Sequence, residues 1–351
     1  MVKNVMDFDN YQVRTPAVAG IFYPSNPTEL KESVRFYLSK AAAQNFSTSE
    51  DPPKAIIVPH AGYQYSGLTA ATAYNSLKKI AEKINRVVIM GPCHRIGISG
   101  LALPSCKAFD TPIGRVPVDF NAVSNILSLD QVHIFDETHK DDHAIEVHLP
   151  FLQVVLKEFS IIPFIVGQTS TNEVAEVLQA LWGGDETLIL ISSDLSHYLP
   201  YTDAQKLDDN TRVAIETLDP MALGEAQACG RNSIKGLMKV AREKGLLVTT
   251  LDVRNSGDTA GEKDKVVGYG AWLLSGGNNK PNSMNISKSV KDSSDGITEK
   301  YGEMLLTIAA KSILNTLVNG EPTDIDIQVF PEELQAFGAS FVTIQKDGQL
   351  R

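Results

Sequence analysis

Short apolar runs that alternate with longer helical patterns constrain this sequence most. The runs lie at residues 55–58, 86–90, 161–166 and 187–191, and a loop containing glycine, proline or serine follows each of them. Runs of this length that are rich in isoleucine and valine are typical of strands buried on both faces. The sequence therefore predicts an α/β fold, and residues 266–274 predict a late strand that completes the sheet.

Apolar residues spaced three and four apart predict the helices between these strands. The predicted helices span residues 27–40, 69–84, 148–159, 171–182, 201–218 and 233–244. Hydrophobic residues make up 43% of the 351-residue chain and charged residues 21%, so most of the chain can bury a sizeable core. We expect one α/β domain that spans residues 1–274.

Residues 275–298 have a different composition, dominated by serine, asparagine, lysine, aspartate and glycine. Such a segment buries too little apolar surface to order itself, which predicts a flexible linker. Residues 299–351 follow, with a helical apolar stripe and, at 340–345, a strand that leads into a turn. About 50 residues are marginal for an independent core, so we expect a partial α+β segment of a truncated second domain.

The charge balance is acidic, with 32 lysine and arginine residues against 42 aspartate and glutamate residues. A net charge of −10 argues against nucleic acid and anionic membrane as partners. The three cysteines are odd in number and widely spaced, which fits a reducing compartment better than a disulfide framework. The sequence shows no signal-peptide pattern and no apolar run near the roughly 18 residues that span a bilayer. We therefore expect a cytoplasmic protein.

Ligand-type residues follow three of the predicted strands. His60 follows the first strand, His94 follows the second, and Asp194 and His197 follow the fourth. In open α/β sheets the binding crevice lies outside the carboxyl ends of the strands, so these side chains would converge if the strands are parallel neighbours. Two histidines and one anionic ligand hold a first-row metal ion and leave positions open for substrate or oxygen. The pattern predicts a metal site.

Cys229 is the natural anionic third ligand. It precedes a predicted helix, and Arg231 is close to it in the sequence. A helix N-terminus and a neighbouring cation both favour the thiolate, which metal ligation requires. The alternative is that Cys229 is a small buried hydrophobic residue, as free cysteines commonly are. We interpret Cys93 and Cys106 as structural.

Carboxylates and histidines are dense in the stretch DETHKDDHAIEVHLPFL, residues 136–152. On a helix, His143 and Glu146 would share a face and form an acid/base pair or orient a metal-bound ligand. On a strand, Glu146 would share a face with His148 instead. This density favours a site over a solvated face with scattered charge. His133 and His139, in the same region, are assigned to the scattered charge.

Asp194 and His197 lie three residues apart, like a base with its orienting carboxylate or a pair of metal ligands. Ser192 and Ser193 precede them, but the pattern G-x-S-x-G is absent, which argues against a serine hydrolase. The glycine patterns that bind dinucleotides or triphosphates are also absent. Tyr63 is a candidate to line the pocket, although aromatic residues more often pack in the core.

Several separated motifs together resemble those of the Memo family, whose microbial members are called AmmeMemoRadiSam system protein B. The motifs are AGIFYP, PHAGYQYSG, GPCHR, DDHAIEVHLPF, SSDLSHY and CGRNSIKG, and they cover about residues 14–274. The resemblance implies a three-layer α/β fold, with a mixed sheet between helices, like that of the class III extradiol dioxygenases, which are non-haem iron enzymes. It also implies a redox metal ion, iron or copper, bound by His60, His94 and Cys229.

Two residues differ from the family's animal members, and the C-terminal segment resembles a second family. Ser196 and Asn232 stand where the family's animal members carry cysteine and histidine. Residues 299–351 resemble the beginning of the AMMECR family, system protein A. A radical SAM enzyme is the third member of that system, which implies a radical SAM protein as a partner.

The leading hypothesis is a dioxygenase-like, metal-dependent oxidoreductase that uses iron or copper. The residues expected to move protons and position the substrate are His197, Asp194, His143 and Glu146. The residues expected to bind the substrate, a small molecule or a peptide, are Tyr63, His148 and Arg231.

Two other functional classes compete with this hypothesis. A non-catalytic module would bind phosphopeptides or other anions in the same cleft, where Arg231 and the histidines contact the anion. A zinc hydrolase would use the same two histidines and cysteine as ligands, with Glu146 as its general base.

Overall fold

The computed structural model describes residues 13–43, 52–276, 345–346 and 349–350 of the chain. The chain divides into two units, Met1–Lys280 and Pro281–Arg351. In the second unit, the described residues form two short strands that pair antiparallel. The predicted linker from residue 277 onward and the predicted helix after it lie outside the described residues.

The strands of the first unit form one large sheet and one small sheet. Their bounds are β1 Val13–Arg14, β2 Pro53–Val58, β3 Arg86–Pro92, β4 Leu101–Leu103, β5 Ala108–Thr111, β6 Gly114–Pro117, β7 Val132–Ile134, β8 Ser160–Val166, β9 Thr187–Ser192, β10 His197–Leu199, β11 Leu247–Asn255 and β12 Val266–Ser275; the second unit contains β13 Gln345–Lys346 and β14 Gln349–Leu350. The large sheet has the order β10-β12-β2-β9-β3-β8-β4-β7, and β11 also pairs with β12. The small sheet has the order β1-β5-β6.

The centre of the large sheet is parallel, an antiparallel pairing follows on each side of it, and the edge strand β7 pairs in parallel with β4. β2, β9, β3 and β8 pair in parallel. On one side β12 runs antiparallel to β2, β10 and β11, and on the other β4 runs antiparallel to β8. Every residue of β9 is buried, and so is every residue of β3 after its first. Consecutive burial means that both faces of these strands are covered, which confirms a mixed α/β fold.

The described residues contain eight α-helices. They are α1 Pro27–Ala42, α2 Tyr63–Ser76, α3 Phe120–Ile126, α4 Glu137–Lys140, α5 Leu149–Val155, α6 Thr171–Ala180, α7 Tyr201–Glu216 and α8 Arg231–Glu243. α8 packs on α6, β3 and β9, whereas α2 packs on α1, α5 and β12. None of the helices that the structure describes is long and apolar enough to cross a membrane.

The five strands predicted between residues 55 and 274 all lie within observed strands, whereas several helix boundaries differ. The strand predicted at 340–345 lies outside the described residues except for Gln345, which begins β13. The helix predicted at 69–84 is α2, which begins six residues earlier and ends at Ser76. The helix predicted at 148–159 is α5, which ends at Val155. β11 was not predicted, because its half-buried residues lack a clear alternation of apolar and polar side chains.

Candidate functional site

Three adjacent parallel strands deliver polar side chains to one edge of the large sheet. β2 ends at Val58 and is followed by His60, and β3 ends at Pro92 and is followed by His94. β9 lies between these two strands and ends at Ser192, which pairs in register with Val58. Because parallel strands end at the same edge, the loops that follow them meet there.

His60, His94 and Cys229 converge at this edge. Their ligand atoms all lie within 4.8 Å of one another, and Sγ of Cys229 is 3.4 Å from Nε2 of His60. The two imidazole centroids are 5.0 Å apart and the rings are nearly perpendicular. His60 is 1% exposed, whereas the His94 side chain is 26% exposed. The cluster is therefore buried at His60 and accessible to solvent at His94.

Close packing of backbone against backbone places Cys229 in this cluster. A Cβ atom on Gly230 would lie 2.6 Å from the carbonyl oxygen of Ser192 and 2.7 Å from Cβ of Ser193, so only glycine allows the start of α8 to approach the end of β9 this closely. The Cys229 amide donates to the carbonyl of Asp194 at 3.2 Å. In return, the Asp194 amide donates to Sγ of Cys229 at 3.3 Å.

A second polar group holds each imidazole of the cluster through its Nδ1 atom. Asp142 Oδ1 is 3.2 Å from Nδ1 of His94, and Asp142 Oδ2 accepts from the His94 amide at 3.0 Å. The hydroxyl of Ser192 is 2.7 Å from Nδ1 of His60. In both histidines Nε2 is therefore the nitrogen available to a metal ion. Contacts of this kind to Nδ1 orient histidines at metal sites.

His143 lies against the exposed side of the cluster. Its ring stacks on that of His94 at 4.6 Å with an interplanar angle of 9°, and Phe22 contacts its ring at 4.6 Å. Burial, with a smaller contribution from the charge of His94, lowers the pKa of His143 to about 4. His94, Asp142 and His143 also form a second group whose ligand atoms lie within 4.8 Å of one another.

Asp194 is attached to His60 and not to the predicted partner His197. Asp194 Oδ1 accepts from the His60 amide at 2.8 Å, and Oδ2 lies 4.0 Å from His60 Nε2. Burial raises the pKa of Asp194 to about 7, so this carboxyl group titrates near neutral pH. His197 is exposed at the start of β10, where its ring is 6.0 Å from that of Tyr198.

The thiol of Cys229 differs from the sequence expectation. Burial, and then the charge of Asp194, raise its pKa to about 12. The pKa of this thiol is therefore raised, and the expected lowering by the helix N-terminus and Arg231 is wrong. One reason is that the Arg231 guanidinium forms an ion pair with Glu225 at 3.1 Å.

Glu146 is not placed as an acid or a base beside His143. It is fully buried, and Arg14 and the Tyr23 hydroxyl donate to its carboxylate. The amides of Ala17 and Val18 also donate to it, at 2.7 and 3.0 Å. Because four donors occupy its two oxygens, Glu146 anchors the segment at residues 14–23. This anchoring corrects its predicted role in proton transfer.

Tyr63 and His148 are also too deep to contact a substrate. Tyr63 is 4% exposed, and its hydroxyl donates to the carbonyl of Val147 at 2.8 Å. His148 is 1% exposed and lies between Tyr74 and Ser192, with contacts of 2.9 and 2.7 Å. Both side chains belong to the core behind the cluster, which corrects the substrate-binding roles predicted for them.

His139, Cys93 and Cys106 lie outside the cluster. His139 is 3% exposed, and its Nε2 contacts the carbonyl of Ala102 at 3.0 Å, so it is a core residue rather than part of a solvated face. Cys93 donates to the carbonyl of Ile96, and Cys106 is buried.

Sequence reasoning missed three residues that shape the cluster. Asp142 holds His94, Ser192 holds His60, and Phe22 packs against His143. One available signal was the serine at the end of the fully buried strand β9, because a polar residue there must have hydrogen-bond partners. Asp142 and Phe22 carry no comparable signal, because their contacts come from segments far away in the sequence.

The first three quarters of the chain are similar to known proteins. The family described as Memo-like protein matches residues 14–273. A MEMO1 family protein of Aquifex aeolicus is 35% identical over 276 residues, which cover 74% of this chain and 97% of that protein. A MEMO1 family protein of Archaeoglobus fulgidus is 33% identical over 272 residues, which cover 73% of this chain and 97% of that protein.

One solved structure also resembles part of the chain. It is an uncharacterized protein of Escherichia coli K12, which is 12% identical and is matched with a TM-score of 0.39 over 62% of this chain and 98% of its own.

Proposed function

Since this chain belongs to the Memo-like protein family, we propose that it is a metal-dependent oxidoreductase whose iron or copper ion is bound by His60, His94 and Cys229. The observation that carries the proposal is the meeting of two imidazoles and one thiol, remote in sequence, within 4.8 Å at the sheet edge. Two nitrogen ligands and one sulfur ligand suit late first-row ions.

The geometry of the three side chains fits one ion. The ligand atoms of all three side chains lie within 4.8 Å of one another, so one ion could contact all of them. The observed separation of His60 Nε2 and Cys229 Sγ is 3.4 Å. Small movements would therefore complete such a site, and the partial exposure of His94 leaves access for a substrate.

The residues around the site would have distinct roles. When bound, a redox ion supplies one-electron chemistry and open coordination positions. Asp142 orients His94, and Cys229 must lose its proton before Sγ can bind a cation. The Asp194 carboxyl group lies 4.0 Å from Nε2 of His60 and has a pKa of about 7, so it is suited to exchange a proton near the site. His143 is the imidazole placed to exchange a proton with a substrate near His94.

The same contacts disfavour the two alternative functions. The zinc hydrolase hypothesis relies on Glu146 as general base, but four donors already occupy that carboxylate. The anion-binding hypothesis relies on cationic groups. However, Arg231 is paired with Glu225, and burial lowers the pKa of both His60 and His143. His197, exposed at the rim, is the remaining residue that we propose positions the substrate.

Three further parts of the proposal rest on the family resemblance. We propose that the layer arrangement is that of the class III extradiol dioxygenases, that the segment 299–351 is AMMECR-like, and that a radical SAM protein is a partner. Co-purification of a radical SAM protein with the tagged full chain tests the last part. Its absence from such preparations would remove that partner.

Metal content tests the proposed function. The full chain, purified without oxygen, is expected to contain close to one equivalent of iron or copper by elemental analysis. His60→Ala and Cys229→Ser should abolish metal uptake and keep the circular dichroism spectrum. His133→Ala and Cys106→Ser are the matched controls, because they remove the same side-chain types away from the cluster. Stoichiometric zinc would contradict the redox assignment, and full uptake by both site variants would contradict the ligand set.

A further inference from the structure

The hydroxyl of Ser192 is the hub of a buried hydrogen-bond chain behind the metal-site candidate. Its Oγ lies 2.7 Å from Nδ1 of His60 and 2.7 Å from Nε2 of His148, and it donates to the carbonyl of Ala144 at 2.7 Å. On the far side of the chain, the Tyr74 hydroxyl is 2.9 Å from Nδ1 of His148. All four side chains in this chain are at most 1% exposed.

Only one distribution of protons satisfies every contact in this hydrogen-bond chain. The carbonyl of Ala144 can only accept, so the single Ser192 hydrogen must point to it, because two oxygens at 2.7 Å need a hydrogen between them. The two lone pairs of Ser192 then face Nδ1 of His60 and Nε2 of His148. Each of those nitrogens must therefore carry a hydrogen.

The positions of the other protons in the hydrogen-bond chain follow from this assignment. Both imidazoles are at most 1% exposed, and a charged ring is costly at that depth, so each ring is neutral and carries one N–H. Nδ1 of His148 is then an acceptor and takes the hydrogen of Tyr74, whose pKa burial raises. Nε2 of His60 is likewise left as a lone pair, which faces Cys229.

We infer that Ser192, supported by His148 and Tyr74, fixes His60 in the tautomer that carries its hydrogen on Nδ1, so that Nε2 is preset as a metal ligand. Ser192 is thus a positioning residue for the site. The inference rests on the proposed function for its purpose, although the tautomer itself does not depend on a metal ion. An imidazole held in the other tautomer would turn an N–H toward the ion and could not bind it through Nε2.

The hydrogen-bond chain from His60 to Tyr74 does not conduct protons to solvent. Among the described residues it ends at Tyr74, which is fully buried and stacks on Phe151 at 4.8 Å. A chain with an enclosed end holds one arrangement in place and has no route by which to renew a proton. Its role is therefore to orient His60.

Histidine nitrogen chemical shifts of the full chain test this inference directly. The full chain, labelled with ¹⁵N histidine, is examined by long-range ¹H–¹⁵N correlation before and after addition of Zn²⁺, and His60→Ala assigns the His60 signals. The expected spectrum of the metal-free chain has a protonated Nδ1 and an unprotonated Nε2 for His60, and the reverse for His148. A protonated Nε2 on His60 would overturn the inference, whether or not the chain binds metal.

Zn²⁺ affinity provides the second test. Ser192→Ala should weaken Zn²⁺ binding about 10- to 100-fold, the usual cost of losing a group that orients a ligand. Thr72→Val is the control, because it removes a buried hydroxyl that bonds only within its own helix, and its affinity should equal that of the wild type. Unchanged affinity in a folded Ser192→Ala chain would overturn the inference. If Ser192→Ala does not fold, the wild-type spectrum decides, and a wild type that binds no metal would refute the proposed function alone.

Discussion

Replacing Glu146 by glutamine separates a structural role from a catalytic one. The carboxylate of Glu146 is fully buried, and its partner Arg14 is 6% exposed in its side chain. The amide of glutamine would remove the charge that balances the guanidinium and would place an NH₂ group against donors. The substitution therefore leaves a buried cation without its counter-ion.

The expected cost is large because both partners are desolvated. Removing one partner of a buried ion pair typically costs about 3–5 kcal/mol. A matched control is Asp110→Asn, which breaks the pair with Arg115, whose side chain is 59% exposed. Exposed pairs are worth about 0–1 kcal/mol, so the control should unfold almost like the wild type.

Urea unfolding of both variants, followed by circular dichroism at pH 7, measures the difference. Glu146→Gln is expected to lower the free energy of unfolding by several kcal/mol, while the molecules that remain folded still bind metal. A Glu146→Gln chain that is as stable as the wild type but has lost proton-transfer chemistry would refute the structural role and restore the acid/base interpretation.

Three other predictions follow from the same structure. The pKa values of His139 and His148, about 4 and 3 in the folded chain, lie below the usual 6.5. The unfolded chain therefore binds protons first, and stability present above pH 6.5 is lost as the pH falls. Urea unfolding at pH 5 should give about 2 kcal/mol less per histidine than at pH 7, and an equal value would contradict their burial as neutral rings. Gly230→Ala should weaken Zn²⁺ binding at least about tenfold, since the new Cβ meets backbone. Gly97→Ala, with nothing within 4 Å, should not weaken it, and equal affinities would contradict the packing argument. Because the pKa of Cys229 is about 12, Zn²⁺ binding at pH 7 should release a proton from this thiol, measurable by calorimetry in buffers of different ionisation enthalpy. No proton release would contradict ligation by Cys229.

The central strands could be predicted from sequence because strands buried on both faces consist of consecutive apolar residues. β3, β8 and β9 are such runs, and the predicted segments lie inside them. The margins could not be predicted in the same way. β4 and β7 have only three residues each, and β6 is mostly exposed, so the signal in each is too short or too polar.

The convergence of His60 and His94 could be anticipated because both follow parallel strands. Their supporting contacts could not, since Asp142 and Ser192 are brought to them by tertiary packing. Glu146 shows the limit most clearly. Its spacing from His143 suggested a catalytic pair, whereas the partner that decides its role is Arg14, 132 residues away.

The central claim is that one redox metal ion binds His60, His94 and Cys229. An anomalous-scattering map from crystals of the anaerobically purified full chain, collected at the iron and copper absorption edges, tests it most directly. A single strong peak is expected within bonding distance of Nε2 of both histidines and Sγ of Cys229. A peak elsewhere, or a metal bound without the Cys229 sulfur, would contradict it.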